Sequence, residues 1–161
     1  MRRRGIQVGH SLNMIAELPH YAYNPDVPKA LRAAAFDAFF MHLRLLIDFL
    51  ITKPRRDRPP VISRWDYVQG VHLDEPLRQR LQAASQFASV HVAHYNADRV
   101  QGPQSPVSLA PDRSELDAHR DDVFAAMAVI VERLKSDGSV HAADFDRWLQ
   151  DAGQRATAKE P

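Results

Sequence analysis

The chain has 161 residues and a formal net charge of +1, with 45% hydrophobic and 25% charged residues. This length and composition predict one globular domain, and the small net charge excludes a global attraction to nucleic acid, so that any basic site has to be local. The absence of cysteine excludes a disulfide scaffold and thiolate metal sites.

Two features bear on location. The basic start, MRRRG, is not followed by the apolar stretch of a signal peptide. The longest apolar run contains Arg44 and Asp48, which argues against a membrane span. We therefore expect a cytoplasmic protein without membrane contact.

The chain is expected to begin with a flexible basic arm, residues 1–10. Ser11 is a suitable cap for a first helix, which Pro19 would end or kink. The bundle domain is predicted to cover residues 11–152, and the polar residues 153–161 are expected to form a disordered tail.

A second helix is predicted from Leu31 to about Thr52, because this stretch is almost wholly apolar and lacks Gly and Pro. It is expected to be buried on most of its faces. A basic, proline-rich loop follows at residues 53–60, either as a solvated loop or as a lip that attracts phosphate. Residues 61–68 are expected to cover the core irregularly rather than to form a strand.

Helical periodicity and capping residues predict three further helices. The fold class is therefore all-α: a single-domain bundle of four main helices plus a short C-terminal helix. The last three helices are expected from Asp74 to Arg99, from Asp112 or Ser114 to Asp137, and from His141 to Ala152.

The second helix carries a stripe of charge. Asp37, Arg44 and Asp48 follow one another at i, i+7 and i+11, whereas His42 points elsewhere. Buried charges are costly unless paired, so Arg44 and Asp48 are expected to form an i, i+4 pair. Either this pair is an internal salt bridge that fixes helix register, or the guanidinium is held by carboxylates and directed at a phosphate or carboxylate ligand.

The third helix carries His91, His94 and Arg99. The i, i+3 spacing of the two histidines would allow both to bind one metal, with His42 or Asp48 as a further ligand. Alternatively, His94 is a hydrogen-bonded imidazole, with either a structural or an acid/base role. The sequence has no named catalytic signature, and we assign it neither a cofactor nor a metal.

Taken together, these stretches resemble an uncharacterised family of bacterial helical proteins. The resemblance covers about Phe36 to Arg99 and consists of HLRLLIDFL at residues 42–50, a VI…DY segment at 61–67, and AHYNADR at 93–99. Members of the family show an HxRxLxDFL stretch and, later in the chain, an AHLTxxR stretch. Their architecture looks like that of HEPN (higher eukaryote and prokaryote nucleotide-binding) domains, many of which are metal-independent ribonucleases.

The resemblance implies an RNA-binding or RNA-cleaving protein of a bacterial defence or toxin–antitoxin type. Its partners would be RNA, a second copy of the chain, or a cognate antitoxin-like protein. The chain departs from the HEPN nuclease motif, in which Arg precedes His on one helix, whereas here His94 precedes Arg99. Arg113 and His119 do have that order, but on a helix that looks like a surface helix. The implied catalytic residues are His94, Arg99 and Arg44, with binding or structural support from Asp48, His42, Asp37 and His91.

Two other functions remain open. The first is a non-catalytic interaction or regulatory module whose buried polar stripe locks helix packing, and the second is a metal-binding bundle. A groove that exposes Arg44 and His94 would favour the nuclease. Full burial of the stripe with reciprocal salt bridges would favour the module, and three converging imidazoles would favour the metal site.

Overall fold

The fold is built from helices. A computed structural model describes residues 2–53, 63–101 and 111–158, and the side chains among them except those of 2–6 and 91–101. Within these ranges the chain forms five α-helices, a 3₁₀ turn (Arg64–Asp66) and no strand, which confirms the predicted all-α bundle. The helices are α1 (Arg2–Tyr23), α2 (Lys29–Ile51), α3 (Glu75–Gln101), α4 (Arg113–Ser136) and α5 (Ala142–Thr157).

Helix α2 lies at the centre of the bundle. It packs most extensively against α1, then against α3, and also touches α4 and the 3₁₀ turn, while α5 closes the bundle against α1 and α4. One continuous apolar core receives side chains from all five helices. The largest fully buried side chains include Leu12, Ile15, Phe39, Leu43, Leu46, Ile47, Leu50, Leu81, Leu116, Met127, Ile130 and Phe145.

The flexible arm predicted at residues 1–10 is wrong. Helix α1 begins at Arg2, and Val8 and Gly9 are buried. The reason is tertiary packing: a Cβ on Gly9 would lie 2.8 Å from the ring of Trp148, so only glycine lets α1 and α5 approach this closely. Ser11 is accordingly a buried residue inside the helix rather than its cap, and α1 also continues through Pro19.

The disordered tail predicted at residues 153–161 is also wrong as far as the structure describes it. Helix α5 continues to Thr157. Ala152 is fully buried, Ala156 packs against the core, and Arg155 donates a hydrogen bond to Glu17 of α1. These contacts lie on the side of α5 that faces the bundle, so the helix gains apolar burial beyond its predicted end.

Reciprocal polar motifs fix the starts of α4 and of the 3₁₀ turn. Asp112 is the cap of α4, because its carboxylate accepts the backbone N–H of Glu115, whose own carboxylate accepts that of Asp112. A similar reciprocal pair, Ser63 and Asp66, opens the 3₁₀ turn. Between residues 63 and 74 the structure has this 3₁₀ turn and no strand, in line with the covering segment predicted at 61–68. At the other end of α4, Gly138 follows the helix with φ +62°.

Candidate functional site

Arg44 and Asp48 do not form a buried pair. Their side chains are 51% and 41% exposed, and Arg44 Nε lies 4.0 Å from Asp48 Oδ2. Asp48 Oδ1 also accepts a hydrogen bond of 3.4 Å from Thr52 Oγ1. The predicted burial is wrong because α2 has enough apolar residues to fill its inner face completely, which leaves the charges on the solvent side. An exposed pair of this kind contributes little to stability.

Asp37 and His42 occupy different surroundings on α2. Asp37 is partly buried and takes part in an interaction within the chain. His42 faces α1, where its Nδ1 lies 3.1 Å from the buried Ser11 Oγ and its ring packs edge-to-face on His10 at 5.2 Å. Burial, reinforced by the neighbouring His10, lowers the pKa of His42 below its usual 6.5. His42 therefore belongs to the contact between α1 and α2, apart from Arg44.

The predicted residues of α3 lie in a segment whose side chains the structure does not describe. His91, His94 and Arg99 are in helical backbone within α3, as predicted. Their approach to Arg44, and a metal site made with His42, remain predictions. Among the described side chains, no three His, Asp or Glu residues are grouped in a way that would hold a metal ion.

Arg113 and His119 do not form a common site. Arg113 Nη2 lies 2.8 Å from Nδ1 of His20 on α1. His119 is half-buried, with its ring 5.5 Å from that of Phe87 on α3, and burial lowers its pKa. Two residues six apart on a helix point about 120° from each other, which places them against different neighbours.

The structure adds a residue that the sequence analysis missed. Arg64, in the 3₁₀ turn, is only 9% exposed, and its Nε and Nη1 have no hydrogen-bond partner among the described residues. Its guanidinium carbon lies 4.2 Å from the centre of the Trp65 ring. Burial, followed by the charge of Arg78, lowers its pKa. This guanidinium calls for an explanation, because a buried cation is unfavourable and no anion pairs with it among the described residues.

A second buried arginine, Arg120, shows how unusual the surroundings of Arg64 are. Arg120 of α4 is similarly buried, at 12% exposure, but it donates to Asp117 at 2.6 Å and to Asp121 at 2.8 Å. Arg64 has no such carboxylate among the described residues, and the charged group that lowers its pKa is a second arginine. The only signal in the sequence was an arginine within the apolar segment VISRWDYV, which does not reveal burial.

One further cation, Arg78, lies close enough to lower the pKa of Arg64, and another, Lys53, follows the end of α2. Ser63 Oγ donates to the carbonyl oxygen of Thr52 at 3.3 Å, so the end of α2 and the start of the 3₁₀ turn are held together. The segment between Thr52 and Ser63 therefore connects two points that lie next to each other. It begins with Lys53 and carries three arginines and one aspartate in residues 54–62, which lie outside the described part. Arg64, Lys53 and Arg78 are named here the Arg64 cluster.

The fold and this cluster define the class: an all-α helical bundle with a buried arginine at the edge of a basic segment. No described helix is both long and apolar enough to cross a membrane. No family model, curated protein or solved structure matches the chain.

Proposed function

We propose that this bundle binds single-stranded RNA through its phosphate backbone, with Arg64 as the central contact. The observation that carries the proposal is the buried guanidinium whose Nε and Nη1 have no partner among the described residues. A phosphate that approached Arg64 would supply an anionic partner, and an Arg–phosphate pair is strong because it can be bidentate. Since Nε and Nη1 are covered, binding requires a local shift of the surrounding chain.

The arrangement favours a polymer with several phosphates over a single anion. Lys53 follows the end of α2, and the hydrogen bond from Ser63 to Thr52 holds the turn that carries Arg64 against that end. The sequence between Lys53 and Ser63 adds Arg55, Arg56 and Arg58. Several cations carried by one stretch of the chain suit successive phosphates of a nucleic acid strand.

Trp65 favours an unpaired strand. Its side chain is partly exposed, and Arg64 lies over its ring. Aromatic rings and guanidinium planes are the surfaces on which unstacked bases pack in single-strand binding proteins. The choice of RNA over DNA rests on the resemblance to HEPN domains, so single-stranded DNA of the same sequence is the natural comparison in an experiment.

Binding can be tested by fluorescence anisotropy with a labelled 20-nucleotide RNA. Arg64→Met should weaken binding about tenfold, the effect of losing one charge-assisted contact. Arg147→Met is the matched control: Arg147 lies on α5 and pairs with Asp144, and its loss should leave affinity unchanged. Equal affinity of wild type and Arg64→Met would refute the role of Arg64.

Cleavage is the further step that the HEPN resemblance implies. His94 would move a proton at the ribose 2′-OH, while Arg99 and Arg44 would stabilise charge on the phosphate. If so, His94→Ala should abolish cleavage of the same RNA without lowering the melting temperature, and a chelator should have no effect. A protein that binds RNA but leaves it intact would retain the binding function and exclude the enzymatic one.

A further inference from the structure

One face of α2 is both apolar and exposed. Leu31, Met41 and Leu45 are each more than half exposed, and Ala34 is exposed as well. With the partly exposed Ala38 and Asp48 they form a stripe at spacings of 3, 4, 3, 4 and 3. This is the a/d repeat of a coiled-coil seam. The stripe, named here the α2 seam, comprises Leu31, Ala34, Ala38, Met41, Leu45 and Asp48.

We propose that the α2 seam pairs with the same seam of a second copy of this chain, with the two helices antiparallel. A contact around a two-fold axis joins one surface to itself, so the surface has to be self-complementary. The four central positions of the α2 seam have this property in one arrangement. If the axis passes between residues 39 and 40, Ala38 faces the partner's Met41 and Ala34 faces the partner's Leu45, while at each end Leu31 lies level with the partner's Asp48.

Side-chain volume favours this arrangement. Each alanine then meets a large side chain, as close packing requires. A parallel, in-register pair would instead place Met41 against Met41 and Leu45 against Leu45, with alanine against alanine in the layers between them. Such a pair would have gaps in some layers and crowding in others.

Charge favours the same arrangement. Asp37 and Arg44 flank the seam on one side, at equivalent heptad positions. In the antiparallel pair, the partner's Asp37 lies opposite the level of residue 42. Arg44 is about 3 Å further along the helix axis, and an arginine side chain spans this distance. Both copies form this contact, and so the interface contains two such pairs. Asp37 retains its interaction within its own chain.

The proposed interface is small. From Leu31 to Asp48 the seam is about 26 Å long and one helix wide, at the lower end of specific protein interfaces. Association should therefore depend on concentration in the micromolar range. Sedimentation velocity between 1 and 200 µM should show a monomer–dimer equilibrium for the wild-type chain.

Substitutions test the location of the interface. Met41→Glu and Leu45→Glu should each keep the chain monomeric at 200 µM while leaving its circular dichroism unchanged, because both side chains are solvent-exposed. Val140→Glu is the matched control: Val140 is an apolar residue, 88% exposed and outside the seam, and its variant should dimerise like wild type. A wild-type chain that stays monomeric, or a dimer that survives both seam variants, would overturn the proposal.

Cysteine pairing tests the direction, since the natural chain has no cysteine. An oxidised mixture of Ala34→Cys and Leu45→Cys chains should yield a disulfide-linked dimer that joins one chain of each kind. Neither variant alone should cross-link, because identical positions lie about 16 Å apart along the axis in the antiparallel pair. Cross-linking of each variant with itself would show a parallel pair and overturn the proposed geometry.

Discussion

Replacement of Arg64 by methionine should make the protein more stable. The change removes a cation whose residue is only 9% exposed and whose Nε and Nη1 have no hydrogen-bond partner among the described residues, and methionine fills much of the same volume. Relief of an unsatisfied buried cation is worth about 2–3 kcal/mol, and the lost contact with the Trp65 ring offsets about 1 kcal/mol of this. We therefore expect a net gain of about 1–2 kcal/mol.

Arg120→Met provides the control, because Arg120 is buried to a similar degree but paired with two carboxylates. It should lower the stability by about 1 kcal/mol, since both partners are partly exposed and regain water. Urea unfolding followed by circular dichroism measures both variants. For a chain of this size, 1 kcal/mol also shifts the melting temperature by about 2–4 °C. If Arg64→Met lost more than about 1 kcal/mol, the guanidinium would have a stabilising partner within the folded chain, and the phosphate-binding argument would fail.

Three further outcomes are expected. Gly9→Ala should lower the free energy of unfolding by about 1–2 kcal/mol, because its Cβ would meet the Trp148 ring. Gly153→Ala should raise it by about 0.5–1 kcal/mol, because Gly153 is helical and nothing lies within 4 Å of the added Cβ. Urea titration of both variants checks this. Because the pKa of His42 is lowered in the folded state, the folded protein binds fewer protons than the unfolded chain, so stability should fall as the pH drops below about 6.5. His42→Gln should reduce this fall between pH 7.5 and pH 5, leaving the part due to His119; an unchanged pH dependence would contradict the assignment. Asp48→Ala should change stability by no more than about 0.5 kcal/mol, because its ion pair is exposed, and a loss of several kcal/mol would show that the pair is buried after all.

The sequence was sufficient to predict the elements that depend on local patterns. The long apolar run gave α2, expected from Leu31 to about Thr52 and observed as Lys29–Ile51. The sequence offers two capping residues for the start of α4, Asp112 and Ser114, and the structure has Asp112 as the cap. In both cases the signal lies within a few turns of the element itself.

Features that depend on distant contacts could not be predicted in this way. The start of α1 contains three arginines and two glycines, which disfavour a helix locally. The helix nevertheless extends over them, and Gly9 packs against Trp148, more than 130 residues away in the sequence. The charges of α2 were expected to face inward because the helix is so apolar, but the apolar residues alone fill the core. Arg64 was missed because its burial arises only when the 3₁₀ turn packs against the bundle.

The central claim, that Arg64 binds RNA phosphate, is tested most directly by the salt dependence of binding. The affinity for a single-stranded 20-nucleotide RNA should be measured between 50 and 300 mM KCl for wild type and Arg64→Met. Each phosphate contact on a single strand contributes about 0.7 to the slope of log K against log salt concentration. The slope should be shallower by about 0.7 in Arg64→Met, while Arg147→Met should keep the wild-type slope. Identical slopes for wild type and Arg64→Met, or no RNA binding by the wild-type protein at 50 mM KCl, would contradict the role of Arg64.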